Sequence, residues 1–155
     1  MRSLTSVSVV SISLLVLACC SQQATAALDD KQPDAQSIAA LEIKASQAQP
    51  REQCYLYAEL VHEMIEFSSA QYAAGELDKA SKTLRQVSGL ARKIHLAMSN
   101  DEKRLKNAQI LLRHTAFRLN ELLHASSDED RPLVEQTLAD LNQLQTETMM
   151  QVFRK

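Results

Sequence analysis

Between Cys54 and Met98, apolar residues recur at three- and four-residue steps on either side of one glycine, Gly75. A helix-period pattern broken by a residue that tolerates left-handed backbone predicts two antiparallel helices hinged at that glycine. Upstream, the stripe is Cys54, Tyr57, Ala58, Val61, Met64, Ile65, Ser68 and Tyr72, with Glu59, His62, Glu63 and Glu66 beside it. Downstream, Leu77, Ala80, Leu84, Val87, Ala91, Ile94 and Met98 form a heptad, the spacing of a helix-packing seam. The chain has only two glycines and three prolines in 155 residues, so little else interrupts helix. The second glycine, Gly89, falls on the polar side of the seam helix. It costs up to ~1 kcal/mol there relative to alanine, and close approach of a neighbour is the expected reason.

The remaining chain repeats the same grammar. Pro33-Asp34 starts a short or frayed helix through Ile38, Leu41 and Ala45, ended before Pro50. Ser99 with Glu102 forms a capping box for a helix through Leu105, Ala108, Leu112, Ala116, Leu119 and Leu123, reaching about Ala125. Asp130 caps a last helix with Pro132 in its first turn, through Val134, Leu138, Leu141, Leu144 or Gln145, Thr148 and Val152. The expectation is an all-α fold: an antiparallel helical bundle of four main helices plus a weak N-terminal one. The short connections make sequential neighbours antiparallel. The expected core includes Ala58, Val61, Ile65, Leu77, Ala80, Leu84, Leu112, Leu119, Leu138 and Leu141.

The first residues read as an export signal. Arg2 precedes an apolar run from Val7 to Ala18, too short to span a membrane stably, and Ala24-Thr25-Ala26 is a small-x-small cleavage site. A competing exit is Leu15-Val16-Leu17-Ala18-Cys19, which resembles the lipobox of bacterial lipoproteins and implies lipidation at Cys19. The division is therefore a signal over 1–26 (or ending at Ala18), a flexible or weakly helical tether over 27–50, and a helical domain over 51–155. Either processing leaves Cys54 as the one cysteine of the folded part, so no internal disulfide forms and packing alone holds the fold.

Residues 61–90 resemble a single tetratricopeptide repeat. Met64, Phe67, Ser68 and Ala70 match its first helix, Gly75-Glu76-Leu77-Asp78 its turn, and Ala80, Leu84 and Val87 its second helix. The resemblance implies a tight helical hairpin, with small residues at Ser68, Ala70 and Ala80 for close approach. Arg92 stands near the place of the proline that closes such repeats, and no second copy follows. The whole chain is similar to small exported helical proteins, a likeness that implies no particular activity.

No phosphate-cradling glycine loop, Ser-His-Asp order or paired-cysteine metal spacing occurs, so no catalytic or cofactor-binding residues are assigned and no cofactor is expected. A hydrolase or transferase ranks last for want of a nucleophile with its base. The net charge is −2 and tryptophan is absent, which argues against nucleic acid. Basic residues from Lys79 to Arg118 crowd the middle helices while acids dominate before Gly75 and after Glu121, a pattern of complementary helix faces. Two Glu-x-x-His pairs, Glu59 with His62 and Glu121 with His124, each share a helix face. They give the alternative reading, a metal-binding bundle. The leading expectation is a non-enzymatic interaction or scaffold protein of the bacterial envelope, periplasmic and held to membrane only through a lipid anchor, if lipidated. Its patch is expected at Leu60, Phe67, Ile110 and Phe117, rimmed by Arg113 and Arg118. A protein partner or a second copy would occupy it, unless the Asp34–Gln49 helix covers it.

Overall fold

The computed structural model describes residues 32–98 and 104–153. The signal segment with Cys19 and Cys20, the Ala24-Thr25-Ala26 site and the Ser99–Glu102 capping box lie outside the described residues. The described chain is all-helical: α1 (Ala35–Gln47), α2 (Pro50–Ala73), α3 (Leu77–Ala97), α4 (Leu105–Ala125) and α5 (Arg131–Phe153), packed as a helical bundle.

Where the sequence suggests a short or frayed helix, α1 has 13 residues and a closed start. The Ser37 N–H donates to Asp34 Oδ1 at 2.7 Å while the Asp34 N–H donates to Ser37 Oγ at 3.0 Å, a reciprocal capping box. Gln49 is extended, as a residue before proline must be, and Pro50 takes the first position of α2, where its missing N–H costs nothing. Ala45 is fully buried, and α1 packs on α2 alone.

The α2–α3 turn is a Schellman motif. Gly75 has φ +77°, its N–H donates to the Tyr72 carbonyl at 3.0 Å, and the Glu76 N–H donates to the Gln71 carbonyl at 2.8 Å. Just past the turn the helices close up: Ser68 Oγ donates to the Ala80 carbonyl at 3.1 Å, and both residues are fully buried. Ser68 and Ala80 are both small, which leaves room for this approach.

Beyond that turn, α2 packs against α4, α3 against α5 and α4 against α5. Although α3 and α4 are consecutive, they do not pack against each other. The cross-helix bonds set the register. His62 meets Thr115 and Glu66 meets Arg118 between α2 and α4; Ser88 meets Thr137 and Met98 meets Thr148 between α3 and α5. In both pairs of helices the residue numbers ascend together.

Nine of the ten expected core residues are buried or packed against the core. Leu77 is the exception and is half exposed. It is the first residue of α3, and helical side chains lean towards the N-terminus, so it overhangs the end of α2 instead of facing it. Gly89 also departs from expectation. A Cβ built there meets nothing within 4 Å, so no neighbour's approach requires glycine.

Several buried positions are threonines. Thr115, Thr137 and Thr148 are fully buried, and each hydroxyl donates to the carbonyl four residues back, at 2.8, 2.7 and 2.6 Å. Bonded within its own helix, the hydroxyl is satisfied and the methyl is left for the core. Asp130 is the expected cap of α5, but its carboxylate has other partners. It accepts from Ser81 on α3 and from Ser127, at 3.2 Å, tying the α4–α5 loop to α3. The Asp130 backbone carbonyl takes the first helical bonds, from the Leu133 and Val134 N–H groups.

Candidate interaction surface

Both α2 and α4 carry apolar stripes wider than one seam, and the structure treats them differently. On α2, Tyr57 and Leu60 are buried and Phe67 is half-buried, because this helix is touched from three sides by α1, α3 and α4. Leu60 is fully buried and so belongs to the core, not to an exposed patch. On α4, Leu122 is buried, Leu111 is half-buried, and Ile110 and Phe117 are 45% and 64% exposed.

Ile110 and Phe117 are seven residues apart, two helical turns, on the side of α4 opposite Ala108, Leu112 and Leu119. Exposed Arg113 stands between them. Since α1 packs on α2 alone, it does not cover this face. Arg118 lies at the α2 side of α4. Its Nε donates to Glu66 Oε1 at 2.7 Å and its Nη2 to Glu66 Oε2 at 3.0 Å, a two-pronged bridge from α4 to α2. Arg118 Nη1 also donates to Glu121 Oε2 at 2.5 Å. The hydrogen bond from Arg118 holds the Glu66 carboxyl below the usual carboxylate range, and the two carboxylates raise the guanidinium above its ordinary value. Glu63 one turn earlier is pushed up, mainly by burial.

Beside this bridge lies a groove of about 300 Å³, lined by Ser69, Tyr72, Leu77, Arg118, Glu121 and Leu122. It is where the overhanging Leu77 side chain comes to rest. A second groove, of about 250 Å³, runs between α3 and α5 and is polar. His95 Nδ1 there pairs with Glu147 Oε2 at 2.7 Å, so a histidine with no partner near it in sequence finds one across the bundle.

The two Glu-x-x-His pairs are not brought together. His62 is level with Thr115, which sets Glu121 and His124 about six to nine residues further along the axis, roughly 9–14 Å at 1.5 Å per residue. Glu121 is occupied by Arg118, and His124 is exposed. Among the described residues, no three of His, Cys, Asp and Glu converge on a point that would hold a metal ion.

Two side-chain pairs have the spacing of a nucleophile and its base. His62 Nδ1 lies 3.1 Å from Thr115 Oγ1, but that hydroxyl is fully buried and donates to the Leu111 carbonyl, leaving it only a lone pair for the imidazole N–H. Ser81 beside Asp130 is likewise buried, 3.5 Å from the Tyr72 hydroxyl. Burial is also the main cause that raises the Tyr72 phenol above its usual value. Both pairs tie helices together, as buried polar groups must be paired to be tolerated.

No family model matches the chain, and no curated protein or solved structure matches it significantly. What the geometry defines is an all-α bundle with an outward apolar pair on α4.

Proposed function

We propose that this chain is an exported, non-enzymatic interaction protein of the bacterial envelope, and that α4 carries its contact surface. The observation that carries the reading is the outward pair Ile110 and Phe117, with Arg113 between them, on a helix face that α1 leaves uncovered. Aromatic, apolar and arginine side chains in one exposed stripe are the composition of an interface centre. The occupant is an apolar helix face of a partner protein or of a second copy.

The finer architecture belongs to the same proposal. Two hairpins, α2–α3 and α4–α5, lie side by side in the manner of consecutive tetratricopeptide repeats, and together the four helices form the bundle. The ascending register of α2 with α4, and of α3 with α5, supports this. Such a hairpin cannot bury its apolar face alone. Here α4–α5 supplies the neighbour although its sequence lacks the motif.

The test is a photo-crosslinking residue at position 117 in the protein made in a bacterial host. One discrete adduct, with a partner or with a second copy, is expected, and it should be lost with Ile110→Ser. Absence of an adduct, together with a monomer at every concentration in sedimentation, refutes the surface. Intact mass of the recovered protein tests the export reading: loss of residues 1–26, or a diacylglyceryl group on Cys19 after loss of 1–18, is expected. A product retaining Met1 in the cytosol overturns it.

A further inference from the structure

The outward face of α4 is self-complementary about its middle. It runs from Lys106 to Glu121, about 22 Å of helix at 1.5 Å per residue. Counted from a point between Arg113 and His114, each outward position has a counterpart at equal distance. Ile110 answers Phe117, Lys106 answers Glu121, and Asn107 answers Asn120. All six are exposed, whereas Ala108, Leu112, Thr115 and Leu119 on the other side of the helix are buried. Within the described residues α4 packs on α2 and α5 alone, so this face is uncovered.

We propose that the occupant of this face is a second copy of the chain, laid antiparallel along α4 about a two-fold axis between Arg113 and His114. The inference rests on the reading of α4 as the contact surface and names its partner. A two-fold contact uses one patch twice, so residue i meets j and j meets i. In this register each Ile110 meets the other copy's Phe117, and both exposed apolar side chains leave water in each copy. Each Lys106 comes level with the other copy's Glu121, which places an opposite-charge pair at either end of the seam. Asn107 meets Asn120, and each amide both donates and accepts.

Other registers lose these matches. Parallel copies set Lys106 on Lys106 and Glu121 on Glu121. An antiparallel pair centred on Ile110 or on Phe117 leaves the other apolar side chain against a polar one. Glu121 keeps its bond to Arg118, since a carboxylate accepts from several donors. Arg113 and His114 flank the axis, so each is set beside its own copy. The like charge of the two Arg113 side chains opposes the contact, but the other copy's Phe117 lies about one turn away and offers each guanidinium an aromatic face. Of the remaining ionisable groups exposed on α4, Arg118 is tied to Glu66 on α2, and His124 lies beyond Glu121 at the end of the contact. One helix from each copy makes a small interface, so the dimer is weak and reversible.

The test is sedimentation equilibrium of the processed protein over a range of concentrations, with charge-reversed variants. A reversible dimer is expected. Lys106→Glu sets a glutamate against Glu121 twice, and Glu121→Lys sets a lysine against Lys106 twice. Each exposed pair then passes from attraction to repulsion, a few-fold apiece, so either variant should dimerise roughly tenfold more weakly. The double variant, Lys106→Glu with Glu121→Lys, exchanges the charges and should recover the parent's affinity. Both sites are exposed, so circular dichroism should be unchanged in all three. Ile110→Ser with Phe117→Ser should abolish the dimer. A double variant no tighter than the single ones overturns the proposal, as does a dimer that neither single substitution weakens. A monomer at every concentration, with position 117 still crosslinking to a different protein, overturns the second copy and leaves the α4 surface standing. A monomer with no adduct removes both.

Discussion

The two glycines should respond to the same substitution with opposite signs. At Gly89 the backbone is ordinary helix, the site is exposed, and an added Cβ meets nothing within 4 Å. Alanine there removes unfolded-state freedom at no steric cost, a gain of about 0.5–1 kcal/mol. At Gly75 an added Cβ also finds open space, but φ is +77°. Left-handed backbone costs a residue with a Cβ about 1–2 kcal/mol. That exceeds the ~0.4–1 kcal/mol entropic gain, so the net is a loss of roughly 1 kcal/mol. Residues 31–155 form one compact unit. At ~2.1 cal/mol/K per residue its unfolding entropy is about 0.26 kcal/mol/K, so 1 kcal/mol moves the midpoint by about 4 °C. Thermal melts followed by circular dichroism at 222 nm should therefore place Gly89→Ala about 2–4 °C above the parent and Gly75→Ala about 4 °C below it. A Gly89→Ala variant that melts lower than the parent would mean that a neighbour does need the space, as the sequence alone suggests, and would refute the reasoning.

Leu84→Asp should abolish cooperative melting, because Leu84 is fully buried and an unpaired charge there costs several kcal/mol. Glu66→Gln should cost about 0.5–1 kcal/mol in urea titrations at pH 7, since the Arg118 bridge is partly exposed. The folded-state pKa of Glu66 is lowered, so the parent holds this contribution above the unfolded carboxyl value and loses it as pH falls through the folded one. A Glu66→Gln deficit that persists undiminished at pH 2 would contradict that. Glu63 has the opposite sign: burial raises its folded pKa, so the ionised carboxylate disfavours folding at neutral pH. Glu63→Gln should stabilise the protein at pH 7, and the advantage should fade as pH drops through the raised value and the parent protonates.

Local periodicity, read from the sequence, determined the all-helical class, the turn at Gly75, the seam from Ala80 to Met98 and most of the core. Each of these depends on residues three or four apart, or on one glycine's backbone, and needs no partner to be legible. Tertiary structure decided what the wide stripes mean. Leu60 on α2 and Phe117 on α4 look alike in sequence, yet Leu60 is buried and Phe117 is 64% exposed. The difference is that α2 is enclosed by three helices and α4 by two. Periodicity records which face of a helix is apolar but not how many neighbours arrive to cover it. The same limit hid the pairing of His95 with Glu147, the tie from Asp130 to Ser81 and the diagonal step from α3 to α4. Each joins residues about fifty apart or sets the packing between elements, and only the packed register of the helices brings such positions level.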